Sequence, residues 1–300
     1  MVFGAKKLRL AVLFCLVSVF LCGRPGLALD KRSSSALSHY IMAVIYDDLG
    51  NKGSAIEEYQ QALRLDNKNT AIRLNLAVTY IKNNEINKAC PELELIGKLD
   101  PEAVDAHAIL SFLYSLQNKP GEASREYEIA LKNASKLNPQ NIEIYKSLGA
   151  LYVSQEKFQA AENIYRLIID LSPADSEALN CLGYLYIEEN KNLDAAEVMI
   201  KKALQAQPDN GAYLDSLGWL YFKKGKIDEA LKLLLRASAL TEDSVIYDHL
   251  GDLYSKISDP DNAKINWGKS LKLDPKQDKV KQKLETLRKA CQTPTSKSGN

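Results

Sequence analysis

Apolar residues recur along this chain at three- and four-residue spacing, in paired runs split by short polar turns such as KKGK (223–226) and DLGNKG (48–53). A helical period that stops, turns and restarts predicts helical hairpins. The hairpins share one register. A tyrosine stands at Tyr46, Tyr80, Tyr114, Tyr152, Tyr186, Tyr221 and Tyr254, at spacings of 34, 34, 38, 34, 35 and 33 residues. Four residues before each comes Met42, Leu76, Leu110, Leu148, Leu182, Leu217 or Leu250. Three before it the residue is small: Ala43, Ala77, Ser111, Gly149, Gly183, Gly218 or Gly251. An alanine follows each tyrosine by nine residues, or by ten in the fifth unit: Ala55, Ala89, Ala123, Ala161, Ala196, Ala230 and Ala263.

The physical sense of this register is close packing. Small residues let two helix backbones approach, the tyrosine and leucine fill the space between successive hairpins, and a proline often ends the unit (Pro101, Pro139, Pro173, Pro208, Pro275) because it cannot continue a helix. One hairpin cannot bury its apolar face alone, and stacking does so. The signature resembles the tetratricopeptide repeat, W-x2-L-G-x2-Y…A-x3-F…P. It covers residues 36–277 as seven units: 36–69, 70–103, 104–141, 142–175, 176–210, 211–243 and 244–277. The tryptophan position departs from the pattern, holding His39, Arg73, His107, Tyr145, Leu179, Leu214 and Tyr247. The resemblance implies an all-α, right-handed superhelical solenoid of helix-turn-helix repeats. Val280, Leu284 and Leu287 lie at i, i+4 and i+7 in an otherwise polar stretch, which predicts an amphipathic capping helix over 278–290. Residues 291–300 read as a disordered tail and 29–35 as a short leader. Pro91, two residues after Ala89, predicts a late start or a kink in the second helix of the second unit.

The first 28 residues follow different rules. Lys6, Lys7 and Arg9 precede an apolar run of twelve (Ala11–Cys22), and Gly26 and Ala28 stand where a signal peptidase needs small residues. That is the layout of a secretory signal peptide cleaved after Ala28; the alternative is an uncleaved anchor, for which the run is short as a membrane span. The segment holds four basic residues and no acid, so its removal takes the formal charge from +1 to −3. A near-neutral chain has no electrostatic footprint for nucleic acid. Cys90, Cys181 and Cys291 then remain, an odd number without metal-site spacing, and read as buried or incidental thiols.

The repeats fill nearly all of the mature chain, and no HExxH, GxGxxG or phosphate-loop sequence is present. The expectation is a protein with no enzymatic activity, cofactor or metal. His39 and His107 hold packing positions, and His249 lies beside the leucine of its helix. What is left is a surface. The resemblance implies a groove lined by the first helix of each repeat, where a protein or peptide partner binds. Residues at helical spacing on that face give Phe112, Tyr184, Ile187, Trp219 and Phe222 as an apolar, partly aromatic wall, with Asp215, Asp248 and Asp252 as an acidic end suited to a basic or amine-bearing segment. Exposed aromatics of this kind mark interaction sites, although some of them can instead pack between adjacent helices. Family members that grip a terminal carboxylate use lysines and asparagines here, and only Lys146 and Asn180 qualify. The spelling of the sixth and seventh units also resembles exported bacterial tetratricopeptide proteins of the cell envelope. The reading is a periplasmic or envelope-associated scaffold that binds a protein or peptide partner, with a membrane-associated envelope complex as its setting. The alternative is a carbohydrate-binding solenoid of polysaccharide export whose Tyr184, Trp219 and Phe222 stack on sugars.

Overall fold

The computed structural model describes residues 30–292, so the expected signal peptide and residues 293–300 of the expected tail lie outside the described residues. Among the described residues there are fifteen helices and no strand. In chain order they are α1 (Lys31–Asp48), α2 (Lys52–Leu65), α3 (Thr70–Lys82), α4 (Ile86–Leu99), α5 (Val104–Leu116), α6 (Pro120–Leu137), α7 (Ile142–Ser154) and α8 (Phe158–Leu171). Then follow α9 (Ser176–Glu188), α10 (Leu193–Ala206), α11 (Gly211–Lys223), α12 (Ile227–Leu240), α13 (Ser244–Lys256), α14 (Pro260–Leu273) and α15 (Asp278–Gln292). The fold is an all-α solenoid in which each helix packs on its successor within a hairpin. The chain divides into two compact units at Ala130/Leu131, inside α6.

One turn closes every hairpin. Gly50, Asn84, Asn118, Glu156, Asn190, Gly225 and Ser258 all have positive φ, between 49° and 79°, and each stands four residues after a signature tyrosine. The next residue's N–H bonds back to that tyrosine's carbonyl at 2.8–2.9 Å, for example Glu85 to Tyr80 and Lys226 to Tyr221. This six-to-one bond around a left-handed residue satisfies carbonyls that a helix end leaves open. The fifth hairpin carries an extra turn residue, and a second left-handed asparagine, Asn192 at φ 49°, absorbs it. The opposite end of most hairpins is set by capping, the third excepted, where Ala103 precedes α5 and offers no side-chain cap. Asn69, Asn141, Asp175, Asn210 and Asp243 each accept a bond from a backbone N–H in the following first turn, at 2.7–3.2 Å. Such caps satisfy donors that the helix cannot.

The expected leader over 29–35 is corrected: α1 begins at Lys31, because Asp30 caps it by accepting the Ser33 N–H at 2.6 Å. The expected late start at Pro91 does not occur either, since α4 begins at Ile86 and runs through the proline.

In the first unit, Leu76, Leu93, Ile96, Leu110 and Leu113 form the core with alanines at its close contacts. The tryptophan position here is polar and forms a bridge between the helices of one hairpin. His39 meets Glu58 at 2.6 Å, Arg73 meets Glu92 at 2.5 Å and His107 meets Glu126 at 2.6 Å. In the second unit the core runs through Leu148, Ile168, Leu182, Ile187, Ile200 and Leu220, then Leu214, Leu234 and Leu250. Gly251 shows why the signature wants a small residue: a Cβ there would stand 2.3 Å from the Trp267 ring. The tyrosines link hairpins. The Tyr186 hydroxyl accepts from Arg166 at 2.8 Å and donates to Glu162, and Tyr221 donates to Glu197 at 3.2 Å. Lysines of the following hairpin complete these sites, Lys191 on Glu162 at 2.8 Å and Lys224 on Glu197 at 2.7 Å. Bonds from Lys201 and Lys224 hold the Glu197 carboxyl down at about 2. Finally, α15 lays Val280, Leu284 and Leu287 on Ala263, Trp267 and Leu271.

A Cβ at Gly225 would meet nothing within 4 Å, so Gly225→Ala isolates the cost of the left-handed backbone and should lower stability by about 1 kcal/mol. Glu156→Gly should shift stability the other way, by up to about 1 kcal/mol. Urea unfolding followed by circular dichroism checks both signs.

Candidate functional site

The first helices of the last hairpins, α9, α11 and α13, lie side by side in the second unit, and their shared face carries most of the residues singled out from the sequence. Three of these are interior: Ile187, Trp219 and Asp215. Ile187 is 0% exposed and Trp219 is 7% exposed. Trp219 stacks on Phe222 of its own helix (centroids 4.9 Å apart, planes within 9°) and on His249 of α13 (4.0 Å, 8°). Its indole N–H donates to Glu188 of α9 at 2.8 Å. The ring therefore joins the first helices of three successive hairpins and, buried as it is, has no open face on which a sugar could stack. Tyr184 is half-buried and tilts against His249 at 6.3 Å. Burial, with the carboxylates of Glu188 and Asp215 nearby, pushes its hydroxyl well above the usual tyrosine range. Phe112 belongs to the first unit, where it is 59% exposed on α5.

The acidic end is corrected as well. Asp215 is buried and pairs with Nδ1 of His249 at 2.9 and 3.1 Å. Asp248 and Asp252 are both taken by one cation of the same chain, Lys283 on α15, at 2.7 Å each. Asp252 also accepts the Trp267 indole N–H at 3.1 Å. Burial pushes the Asp248 carboxyl up, and the Lys283 bond opposes it. The sequence marked the three aspartates as negative charge for a partner, but the fold supplies their partners from the next repeat's register, 34 positions onward for Asp215, 35 for Asp248 and 31 for Asp252. Sequence reasoning placed His249 beside the leucine of its helix without a partner, and missed Lys283 altogether. Their signal was the repeat register: Asp278 stands 34 residues after Ser244, so α15 occupies the place of an eighth first helix and turns Lys279, Lys283 and Thr286 toward the same face.

Two clefts open on this side of the second unit. The smaller, about 310 Å³, is lined by Ala150 and Val153 of α7, Tyr165 of α8, and Asn180, Cys181 and Tyr184 of α9. The Asn180 side-chain oxygen is buried there without a hydrogen bond, and burial pushes the Cys181 thiol up to about 11, so it stays protonated. Lys146, the other carboxylate-gripping candidate, is already held by Asp175 and Glu177 at 3.0 Å each. Burial pulls its pKa down, and those two bonds outweigh it and leave it above the usual lysine value. The larger cleft, about 800 Å³, is lined by residues of α13 and α15 together with Phe222 of α11 and Trp267 of α14. Among the described residues no group of three or more His, Cys, Asp or Glu is placed to hold a metal ion.

Trp219→Ala should cost about 3 kcal/mol, as removal of a stacked interior ring does, and thermal unfolding reads it directly. Lys283→Ala leaves two partly buried carboxylates unpaired and should cost about 2 kcal/mol, less than for a fully buried pair. In an Asp248→Asn background the same change should cost clearly less, which a double-mutant cycle in urea measures.

The sequence and fold have counterparts. Two profiles described as tetratricopeptide repeat match residues 48–113 and 188–250, and residues 142–175 and 245–277, together well over half of the chain. A BBSome complex member BBS4 homolog of Drosophila melanogaster is 27% identical over 171 residues, 56% of this chain and 34% of that protein. The type IV pilus assembly protein PilF of Pseudomonas aeruginosa is 26% identical over 161 residues, 51% of this chain and 61% of that protein. The chain thus spans about a third of the first relative's length and under two thirds of the second's. In structure, a tetratricopeptide repeat protein from Parabacteroides merdae superposes with a TM-score of 0.54 at 17% identity, covering 85% of this chain and 99% of that one. With the seven-fold register, the tyrosine-closed turns and these matches in agreement, the chain belongs to the tetratricopeptide repeat family.

Proposed function

We propose that this protein is a non-catalytic scaffold or adaptor that holds a segment of a partner protein against the first-helix face of its second unit. The observation that carries this reading is the cleft at Asn180. A buried carboxamide oxygen without a partner is costly, and here it lies in a cleft whose other walls, Ala150, Val153 and Tyr184, are largely apolar. With the Asn180 amide turned into the cleft, a backbone N–H of an extended segment would satisfy the oxygen while an apolar side chain filled the cleft, a mode in which main-chain bonds give affinity and pockets give specificity. The basic, apolar and small-residue succession over residues 1–28 supports export, and hence a place in the cell envelope. Likeness to a pilus assembly protein is in keeping with such a place. Carbohydrate binding has less support, because Trp219 is committed to stacking between helices.

Val153 is 37% exposed, so Val153→Glu places a charge in the cleft at little cost to folding. With residues 29–300 as bait on an envelope extract of the source organism, a protein held by the unaltered chain should be lost with Val153→Glu. Its affinity as a purified pair should fall by about tenfold or more. Equal retention by both baits, each folded by circular dichroism, would remove the cleft from the reading.

A further inference from the structure

The larger cleft has a different chemistry from the smaller one. Its lining includes an apolar part, Phe222, Leu287 and Trp267. Its acids are already engaged: Asp252 holds Lys283 and the Trp267 indole, and Asp248 beside it holds the same lysine. The two remaining charged residues of its wall are Lys256, at the end of α13, and Lys279, on the first turn of α15. Both are exposed, and neither has a carboxylate partner among the described residues. The sequence alone pointed to an acidic end that takes a basic segment. Once Lys283 folds onto the two aspartates, the charge left unanswered at this end is positive.

We infer that the cleft between α13 and α15 docks an acidic segment of a partner protein, with an apolar side chain seated on Phe222 and Leu287 and flanking carboxylates on Lys256 and Lys279. This rests on the scaffold reading and names the partner's chemistry at one end of the same face. Charge complementarity selects the occupant. A basic segment would face two free ammonium groups and find its acids taken, and like-charge juxtaposition of that kind excludes partners. An apolar segment without acids would cover the apolar part and leave the lysines unanswered. At about 800 Å³ the cleft has room for a large apolar side chain and its neighbours. Because the lysines are exposed, their contribution is screened by salt, whereas the apolar seat is not.

The test is a display selection of random peptides on the full chain, followed by fluorescence anisotropy of the selected sequences. The expected peptides place Asp or Glu on both sides of a Leu, Met or aromatic residue. Their affinity for the unaltered chain should fall as salt is raised, and should fall by about tenfold or more in Lys256→Glu/Lys279→Glu. Both lysines are on the surface, so the double variant keeps its fold, which circular dichroism verifies. Selected peptides that are neutral or basic, or acidic peptides that the double variant still binds, overturn the inference. If binding is lost in Val153→Glu instead, the scaffold reading stands and the acidic-segment inference falls. If no peptide is enriched, both fall.

Discussion

A hairpin of two short helices has more apolar surface than it can cover by itself, and everything else in this molecule follows from the need for a neighbour to cover it. Close coverage requires small side chains at the crossing points and large ones around them. That is why a glycine at position 251 lies under the ring of Trp267, and why buried alanines recur where second helices meet first helices. The same need fixes the turn. To bring the second helix back at the correct depth the chain reverses within a few residues, and it does so through one left-handed residue and one bond to the tyrosine carbonyl. The tyrosine thus acts twice: its backbone closes its own hairpin, and in several repeats its hydroxyl holds the preceding one.

The inter-hairpin contacts explain why the first-helix face is less open than its side chains advertise. As α9, α11 and α13 come together, large residues on their common side meet one another before they meet solvent. Trp219 is the clearest case, with Phe222, His249 and Glu188 all engaged on it. Between such plugged positions the face retains two clefts, one with an unsatisfied amide oxygen and one with unanswered lysines. They differ in what they ask of a ligand, and a partner that lay along the face could meet both demands with different parts of one segment.

The fold was legible because its rule is periodic. A residue type repeated seven times at a fixed offset needs no tertiary knowledge to be noticed, and the capping asparagines and aspartates stand one residue before the repeats' first helices. The site was legible only in part. Helical spacing placed Tyr184, Ile187, Trp219 and Phe222 on one side of their helices, but spacing carries no information about how closely the next helix approaches. Ile187 was therefore read as groove surface and is interior. The aspartates failed for a related reason: the partner of Asp248 and Asp252 sits on a helix whose role seemed only to cover an end. A charge can be read from the sequence one residue at a time, and its neutralisation cannot. Asn180 shows the converse. It was noticed for its residue type, and its significance came from an empty hydrogen-bonding position that only packing creates.

The placement of the two tryptophans has an optical consequence. Trp219 and Trp267 are the chain's only indoles, both belong to the second unit, and both donate to carboxylates, Glu188 and Asp252. Indole emission from this protein is therefore a report from one half of the molecule, while the first unit contributes only tyrosine. In an array whose hairpins contact mainly their neighbours, melting need not be all-or-none. An emission-detected transition then dates the loosening of the last hairpins and their covering helix, and far-ultraviolet dichroism averages over the whole. The separation between the two curves would measure how far one half of the chain is informed of the other.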